Sequence, residues 1–155
     1  MALNRRWRNA PATRRGWDVG LLASSDFGGD KLSTFEYQVS VPNWVFGPRN
    51  VKVALAWTSK VSKILGLLYT SNLAVDLDLK IYDGNGVQVG YSGSWDNSYE
   101  IAEFVGQPGK TYTIKIRRWS GTDSTWFGIA WTVTGGLRFT IPFDELVLAR
   151  AARRF

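Results

Sequence analysis

What most constrains this chain is an alternation of period two that runs from about residue 34 to residue 134. In TFEYQVSV, Phe35, Tyr37, Val39 and Val41 fall on one side and Thr34, Glu36, Gln38 and Ser40 on the other. That is the pattern of a half-buried strand, because successive strand side chains point to opposite faces. VKVALAWT puts Val51, Val53, Leu55 and Trp57 on one face; KTYTIKIRR does so with Tyr112, Ile114 and Ile116, and TWFGIAWTV with Phe127, Ile129, Trp131 and Val133. LAVDLDLKIY, VQVGYS and a less regular SYEIAEFV lie between them. Asp83-Gly84-Asn85-Gly86 and Pro108-Gly109 are turn signals separating the runs. The expected fold is all-β, an antiparallel β-sandwich of jelly-roll-like form with about seven to eight strands.

A chain of 155 residues has the length of one domain with one core. The alternation assigns residues 28–141 to the sandwich. Residues 1–27 read as an interdomain or junction segment with a basic tail, and residues 142–155 as a C-terminal tail. That tail could form a short helix, with Pro142 at its start, Asp144 and Glu145 in the first turn and arginines in the last. SKVSKILGLLYTSN, residues 59 to 72, is a long connection that either caps the open end of the sandwich or offers a contact surface.

The net charge of +6 lies at the ends. Arg5, Arg6, Arg8, Arg14 and Arg15 crowd the start and Arg150, Arg153 and Arg154 the finish, so the body between them is close to neutral. An arginine arm could neutralise phosphates, but no basic stripe continues onto the body. A solvated tail, or a segment packed against a neighbouring domain, is the favoured reading, and no nucleic-acid partner is expected. No apolar run approaches transmembrane length, so no membrane partner is expected either.

Histidine and cysteine are both absent. Without an imidazole, no Ser-His-Asp or Cys-His nucleophile can operate within this chain. Without thiolates there is no disulfide framework, and the redox compartment stays open.

The residues that could carry chemistry are acidic. In AVDLDLKIY, Val75, Leu77, Leu79 and Ile81 share one face, leaving Asp76, Asp78 and Lys80 on the other. Alternate residues on a strand face stand roughly 7 Å apart. Two carboxylates at that spacing can converge on one hard cation, with oxygen ligands at about 2.3–2.6 Å. Asp96, Asn97 and Glu100, and the turn residues Asp83 and Asn85, could complete the shell, and calcium would be the ion. The alternative is that Asp76 and Asp78 accept backbone N–H bonds or pair with Lys80 and Arg117. A glycosidase use of the pair needs a cleft and a carboxylic acid of raised pKa, to which nothing in the sequence points.

Of eight tryptophans, Trp57 and Trp131 are in phase with the core. Trp44, Trp95, Trp119 and Trp126 lie in or near loops and are the candidate platform for a sugar or a peptide. At least two of them are expected to pack under loops.

The ordered set VKVALAW, LAVDLDLKIYDGNG, SWDNSYEIAEF, YTIKIRRW and WFGIAWTV resembles the β-sandwich domain that follows the catalytic domain in many subtilisin-like serine proteases. The resemblance spans roughly Thr34 to Thr134, and GWDVGLLASSDFG looks like the junction after the catalytic domain. It implies a secreted, non-catalytic accessory domain. Such a domain would dock on a serine protease catalytic domain, stabilise it, and assist with protein substrates. By motif position it also implies a calcium site from Asp76, Asp78, Asp96, Asn97 and Glu100. Val75 stands where the family often has asparagine. From a different class, the loop tryptophans suggest a free-standing module that binds glycans or surfaces.

Overall fold

The computed structural model describes residues 5–58, 60–64 and 68–135, with the backbone alone described for 60–64 and 68–72. The tail assigned to residues 142–155 lies outside the described residues. Among the described residues ten strands follow one another: β1 (Arg15–Leu22), β2 (Tyr37–Ser40), β3 (Arg49–Trp57), β4 (Lys60–Ile64), β5 (Leu68–Asn72), β6 (Asp76–Tyr82), β7 (Gln88–Ser92), β8 (Tyr99–Gly106), β9 (Thr111–Ser120) and β10 (Thr125–Val133). One 3-10 turn at Ser24–Asp26 follows β1.

Eight of the strands form two antiparallel four-stranded sheets, ordered β1-β10-β3-β8 and β2-β9-β6-β7. β4 and β5 pair with each other as a separate ribbon inserted between β3 and β6. With that ribbon set aside, each sheet draws its strands from both halves of the chain in the alternating order of a jelly roll. The stretch at 59–72 is therefore mostly a hairpin ribbon and not an irregular connection. Which way Val61, Ile64, Leu65, Leu67 and Leu68 point lies outside the described residues.

The alternation places the core as expected. Val39, Val51, Val53, Leu77, Leu79, Ile81, Ile114 and Ile116 are fully buried between the sheets, with Leu55, Phe127, Ile129, Trp131 and Val133 beside them. Each large apolar side chain buried in this way contributes about 1.5–3 kcal/mol relative to exposure. Aromatic contacts knit the layer: Tyr37 and Trp131 have ring centroids 5.4 Å apart and Phe104 and Tyr112 4.8 Å. Trp57 donates its indole N–H to the Val75 carbonyl at 2.8 Å, tying the end of β3 to the start of β6. At the other end of β6, Asp83 Oδ1 accepts from the amides of Asn85 and Val87, both at 2.9 Å, and Gly86 takes a φ of +78° to close the turn.

The N-terminal assignment needs correction. Residues 15–22, placed outside the sandwich as part of a junction, form its first strand, and all eight pair with β10. Their sequence hides this because the inward positions are Gly16, Asp18, Gly20 and Leu22, of which only the last is a large apolar residue. Trp131 fills the space above Gly16, where a Cβ would run into the indole ring. The arginine arm is likewise not a solvated tail. Arg5 donates to Asp18 Oδ1 at 2.9 Å and to the Val19 carbonyl at 2.7 Å. Arg8 donates to Asp26 Oδ1 at 3.1 Å and to the Leu21 carbonyl at 2.7 Å, and its guanidinium lies 4.1 Å from the centre of the Phe35 ring. These arginines fasten the segment to β1.

β8, the run that looked irregular, alternates strictly, with Glu100, Ala102, Phe104 and Gly106 inward. Its outward residues Tyr99, Ile101 and Val105 are exposed, as are Val19, Leu21 and Trp126 on the same outer face. Across the sheet they fall in rows: Val19, Gly128, Ala56 and Tyr99; then Trp17, Ala130, Ala54 and Ile101. Small residues on the two central strands and large ones on the flanking strands make a shallow apolar trough.

Candidate functional site

β6 and β8 bring three carboxylates to one rim of the sandwich. Asp76 and Asp78 stand on the outer face of β6, and Glu100 enters from the first inward position of β8. All three are buried, at 7%, 4% and 2% exposure. Such burial of acidic groups needs compensation. Asp78 finds it in Arg117, its cross-strand partner on β9, whose guanidinium donates to Oδ2 at 3.3 Å; the Tyr91 hydroxyl reaches the same oxygen at 3.5 Å, the outer limit of a hydrogen bond. Glu100 accepts from the Ser94 amide at 2.7 Å and from the Ser92 hydroxyl in a short hydrogen bond. Asp76 is worse provided for: its Oδ1 is buried with no hydrogen-bond partner among the described residues.

The electrostatics follow. Burial, then the charges of Asp78 and Glu100, push the Asp76 carboxyl above the ordinary carboxylate value. Burial also raises Asp78, against the opposing pull of Arg117. Burial and the neighbouring Asp78 push the Tyr91 phenol upwards. Among the described residues, Arg117 and Lys80 are the positive charges that act on Asp78, while Asp76 feels the negative charges of Asp78 and Glu100.

Above the carboxylates is a pocket of about 140 Å³ lined by Asp76, Asp78, Tyr91, Gly93, Ser94, Trp95 and Trp119. Small-molecule sites usually measure about 300–1,000 Å³, so this one has the size for an ion with its water. Gly93 is required here by space: a Cβ would collide with the Tyr91 hydroxyl and lie 2.8 Å from Asp78 Oδ1. Trp95 and Trp119 meet edge to face over the pocket, with ring centroids 6.3 Å apart. Trp95 is 79% exposed and Trp119 39%, and the Arg117 guanidinium lies 4.3 Å from the centre of the Trp119 ring.

The expected site residues thus divide. Asp76, Asp78 and Glu100 come together, with Trp95 and Trp119 as walls. Asp96 is exposed and does not line the pocket, while the Asn97 side chain is turned to Ser94 Oγ at 3.0 Å. Asp83 and Asn85 are at the far end of β6, about 20 Å away at the rise of a strand, where Asp83 holds its own turn. The four candidate tryptophans are all exposed, so none is packed away under a loop. Trp44 and Trp126 lie elsewhere: Trp44 beside Arg14 and Trp126 on the apolar trough.

The unpartnered Asp76 oxygen and the acidic donor set suit a hard cation such as calcium. Asp76 and Asp78 would hold it, while Glu100 is occupied by Ser92 and Ser94. Among the described residues, no three acidic groups already converge as a ready-made ligand set. Tyr91, Gly93 and Ser94 escaped sequence reasoning because VQVGYSGS has no charge to single it out. Glu100 was a candidate ligand in the sequence, but its inward position appears only in the structure, where it shares the phase of Ala102 and Phe104.

No protein-family model matches the chain, and no curated protein matches it by sequence.

Proposed function

We propose that this chain is a non-catalytic accessory domain of a secreted subtilisin-like serine protease, docking on the catalytic domain and stabilising it or helping it hold protein substrate. The observation that carries the reading is the apolar trough on the outer face of the β1-β10-β3-β8 sheet. Val19, Leu21, Tyr99, Ile101 and Trp126 are exposed there over a floor of Gly128, Ala54, Ala56 and Ala130. A contiguous apolar face of this kind marks a surface that another protein covers. The five motifs of the family resemblance fall on β3, on β6 with its turn, on β8, on β9 and on β10, in one sandwich. The absence of histidine fits a chain whose partner supplies the triad.

In this reading, calcium at Asp76 and Asp78 braces the rim of the sandwich where β6, β7 and β8 meet. Two measurements test it. The purified chain incubated with an unfolded protein substrate should give no cleavage; hydrolysis that copurifies with it through further purification would sink the accessory role. The full chain with Ile101→Lys and Val19→Lys should keep its unfolding midpoint and lose its ability to protect a subtilisin-like catalytic domain expressed in fusion with it. Equal protection by both versions would remove the trough from the proposal.

A glycan-binding module is the second reading, favoured by the open pair Trp95 and Trp119 above an acidic pocket. It expects oligosaccharide binding that drops on Trp95→Ala. Because the Arg117 guanidinium lies against the Trp119 ring, Trp95 should carry the larger share.

A further inference from the structure

Each four-stranded sheet has two outer strands, β1 and β8 in one and β2 and β7 in the other. An outer strand presents a row of unpaired N–H and C=O groups onto which another strand can add. Three of these four edges are guarded. On β1 the Val133 amide bonds the Arg14 carbonyl, so the even-numbered residues continue the ladder to β10 and the carbonyls of Trp17, Val19 and Leu21 turn away from it. Each of the three has a donor from the arginine-rich start: the Arg6 amide, Arg5 Nη2 and Arg8 Nη2, all at 2.7 Å. Along β2 the Glu36 and Gln38 carbonyls accept from the amides of Asn9 and Thr13, at 2.8 and 3.2 Å, and the Ser40 amide donates to the Thr13 carbonyl at 3.1 Å. β7 is only five residues long, with Gly90 at its middle, and its register against β6 shifts between Ile81 and Tyr82.

β8 has none of these devices. It runs for eight residues without proline or lysine. The Trp57 amide donates to the Ser98 carbonyl at 2.9 Å, which fixes the alternation: Glu100, Ala102, Phe104 and Gly106 turn their backbone groups to β3. The N–H and C=O groups of Tyr99, Ile101, Glu103 and Val105 therefore point the other way. Among the described residues nothing hydrogen-bonds to them, and the other strands that touch β8, β6 and β7, belong to the opposite sheet. All four residues are exposed.

We propose that β8 pairs with β8 of a second copy of this chain, antiparallel about a two-fold axis at Ala102, joining the two four-stranded sheets into one. An isologous contact needs a self-complementary surface, and the sequence of β8 selects the register. Centred on Ala102, Tyr99 faces the partner's Val105 and Ile101 faces the partner's Glu103, so every outward-turned backbone group of the strand is paired. A centre at Ile101 would leave Val105 opposite Asn97, beyond the strand. One at Glu103 would set two like charges against each other. In the chosen register Glu103 keeps Lys52 of the adjacent strand as its ion-pair partner, at 2.6 Å. The pairing does not depend on the protease reading.

Sedimentation equilibrium of the full chain should show monomer and dimer in exchange at concentrations up to about 1 mM, the weak end of specific association. Residue-resolved hydrogen exchange should slow with concentration at the amides of Ile101, Glu103 and Val105. The Ala102 and Phe104 amides, already bonded to β3, should be slow throughout. Glu103→Pro removes an edge N–H that the monomer does not use and should weaken the dimer by about tenfold or more. Glu103→Gln keeps that N–H and should leave the dimer within about threefold of the native affinity. Val19→Lys, on the far side of the same sheet, should leave it unchanged. If Glu103→Pro fails to fold, the concentration dependence of exchange still decides the matter. A chain monomeric throughout, or a dimer in which the β8 amides exchange independently of concentration, would overturn the pairing. So would a dimer kept in folded Glu103→Pro and lost in Val19→Lys, which would put the interface on the trough. A monomer whose β8 amides slow only when an unfolded protein is added would give the edge to an extended substrate strand and overturn the second copy as its occupant.

Discussion

The pockets on either side of Trp119 are opposite solutions to the same difficulty. In one, the buried charges are negative and gathered: Asp76, Asp78 and Glu100 share a rim, and among the described residues Arg117 alone answers them with a direct ion pair. In the other, lined by Phe27, Lys31 and Arg118, the buried charge is the single Arg118 guanidinium, two of whose three nitrogens have no hydrogen-bond partner among the described residues, while the third donates to Ser24 Oγ at 3.0 Å. The acidic pocket is small and suited to an ion, whereas the basic one is larger and has apolar walls. Position in the sheet explains the contrast. Asp76 and Asp78 point outwards from β6, next to other charged side chains. Arg118 points inwards from β9, at the end of an apolar row, where its neighbours are Phe27 and the core.

The seam between the two is Gly121, and its substitution should have the largest effect. It has a φ of +82°, and a Cβ there would run into the Ala74 carbonyl and lie 2.9 Å from Val75 Cα. The contact is with backbone leading directly into Asp76, so it cannot be relieved by a side-chain rotation. Gly121→Ala should cost about 3 kcal/mol, combining left-handed strain with overpacking. It should disturb both pockets at once; denaturant unfolding would show the loss, and a loss confined to one pocket would separate the two sites.

Next in size is the response to calcium. A ligand present at a hundred times its dissociation constant stabilises by about 2.7 kcal/mol, several degrees of midpoint for a domain of this length. Unfolding in calcium and in chelator should differ by that order in the native chain and not at all in Asp76→Asn, Asp78→Asn. An unchanged midpoint would leave the carboxylates as structural acceptors only.

Arg118→Met should act in the opposite sense to an ordinary core mutation. It removes an incompletely paired buried charge while keeping much of the side-chain length against Phe27, so the chain should gain about 1–2 kcal/mol. A clear destabilisation would mean that the guanidinium is better satisfied than its hydrogen bonds indicate.

The smallest effect is that of pH. The folded pKa values of Asp76 and Asp78 lie above the ordinary value of 3.8. The folded state therefore holds protons that the unfolded state releases. The stability contributed by these groups is complete below about that pH and is lost as pH rises through the folded values. In chelator, the native chain should lose stability over that interval and Asp76→Asn should lose less. With calcium present the slope should flatten or reverse, because the ion favours the ionised carboxylates.

The legible part of the fold was the part written in local periodicity. β2, β3, β6, β9 and β10 were visible because apolar residues recur at every second position. β1 was not, since glycines and an aspartate occupy its inward positions and their partners, Trp131 and Arg5, are remote in sequence or disguised as a tail. Within the site, Asp76 and Asp78 attract notice as charges within an apolar run. Arg118 is harder to see, because a doubled arginine at a strand end looks like a solvated pair until Ile114 and Ile116 are recognised as sharing the phase of the second one.

By itself, then, the sequence determined which residues face inwards in β2, β3, β6, β9 and β10 and where the turns after β6 and β8 fall, since side-chain alternation and turn geometry depend on adjacent residues. Only the tertiary structure decided the jelly-roll strand order, the incorporation of the arginine-rich start, and the meeting of Glu100 with Asp76 and of Arg118 with Ser24. These depend on register between strands distant in sequence and on how much water burial removes from each charge. A charged residue is read identically in a string of letters whether its neighbours across the sheet satisfy it or leave it wanting a partner.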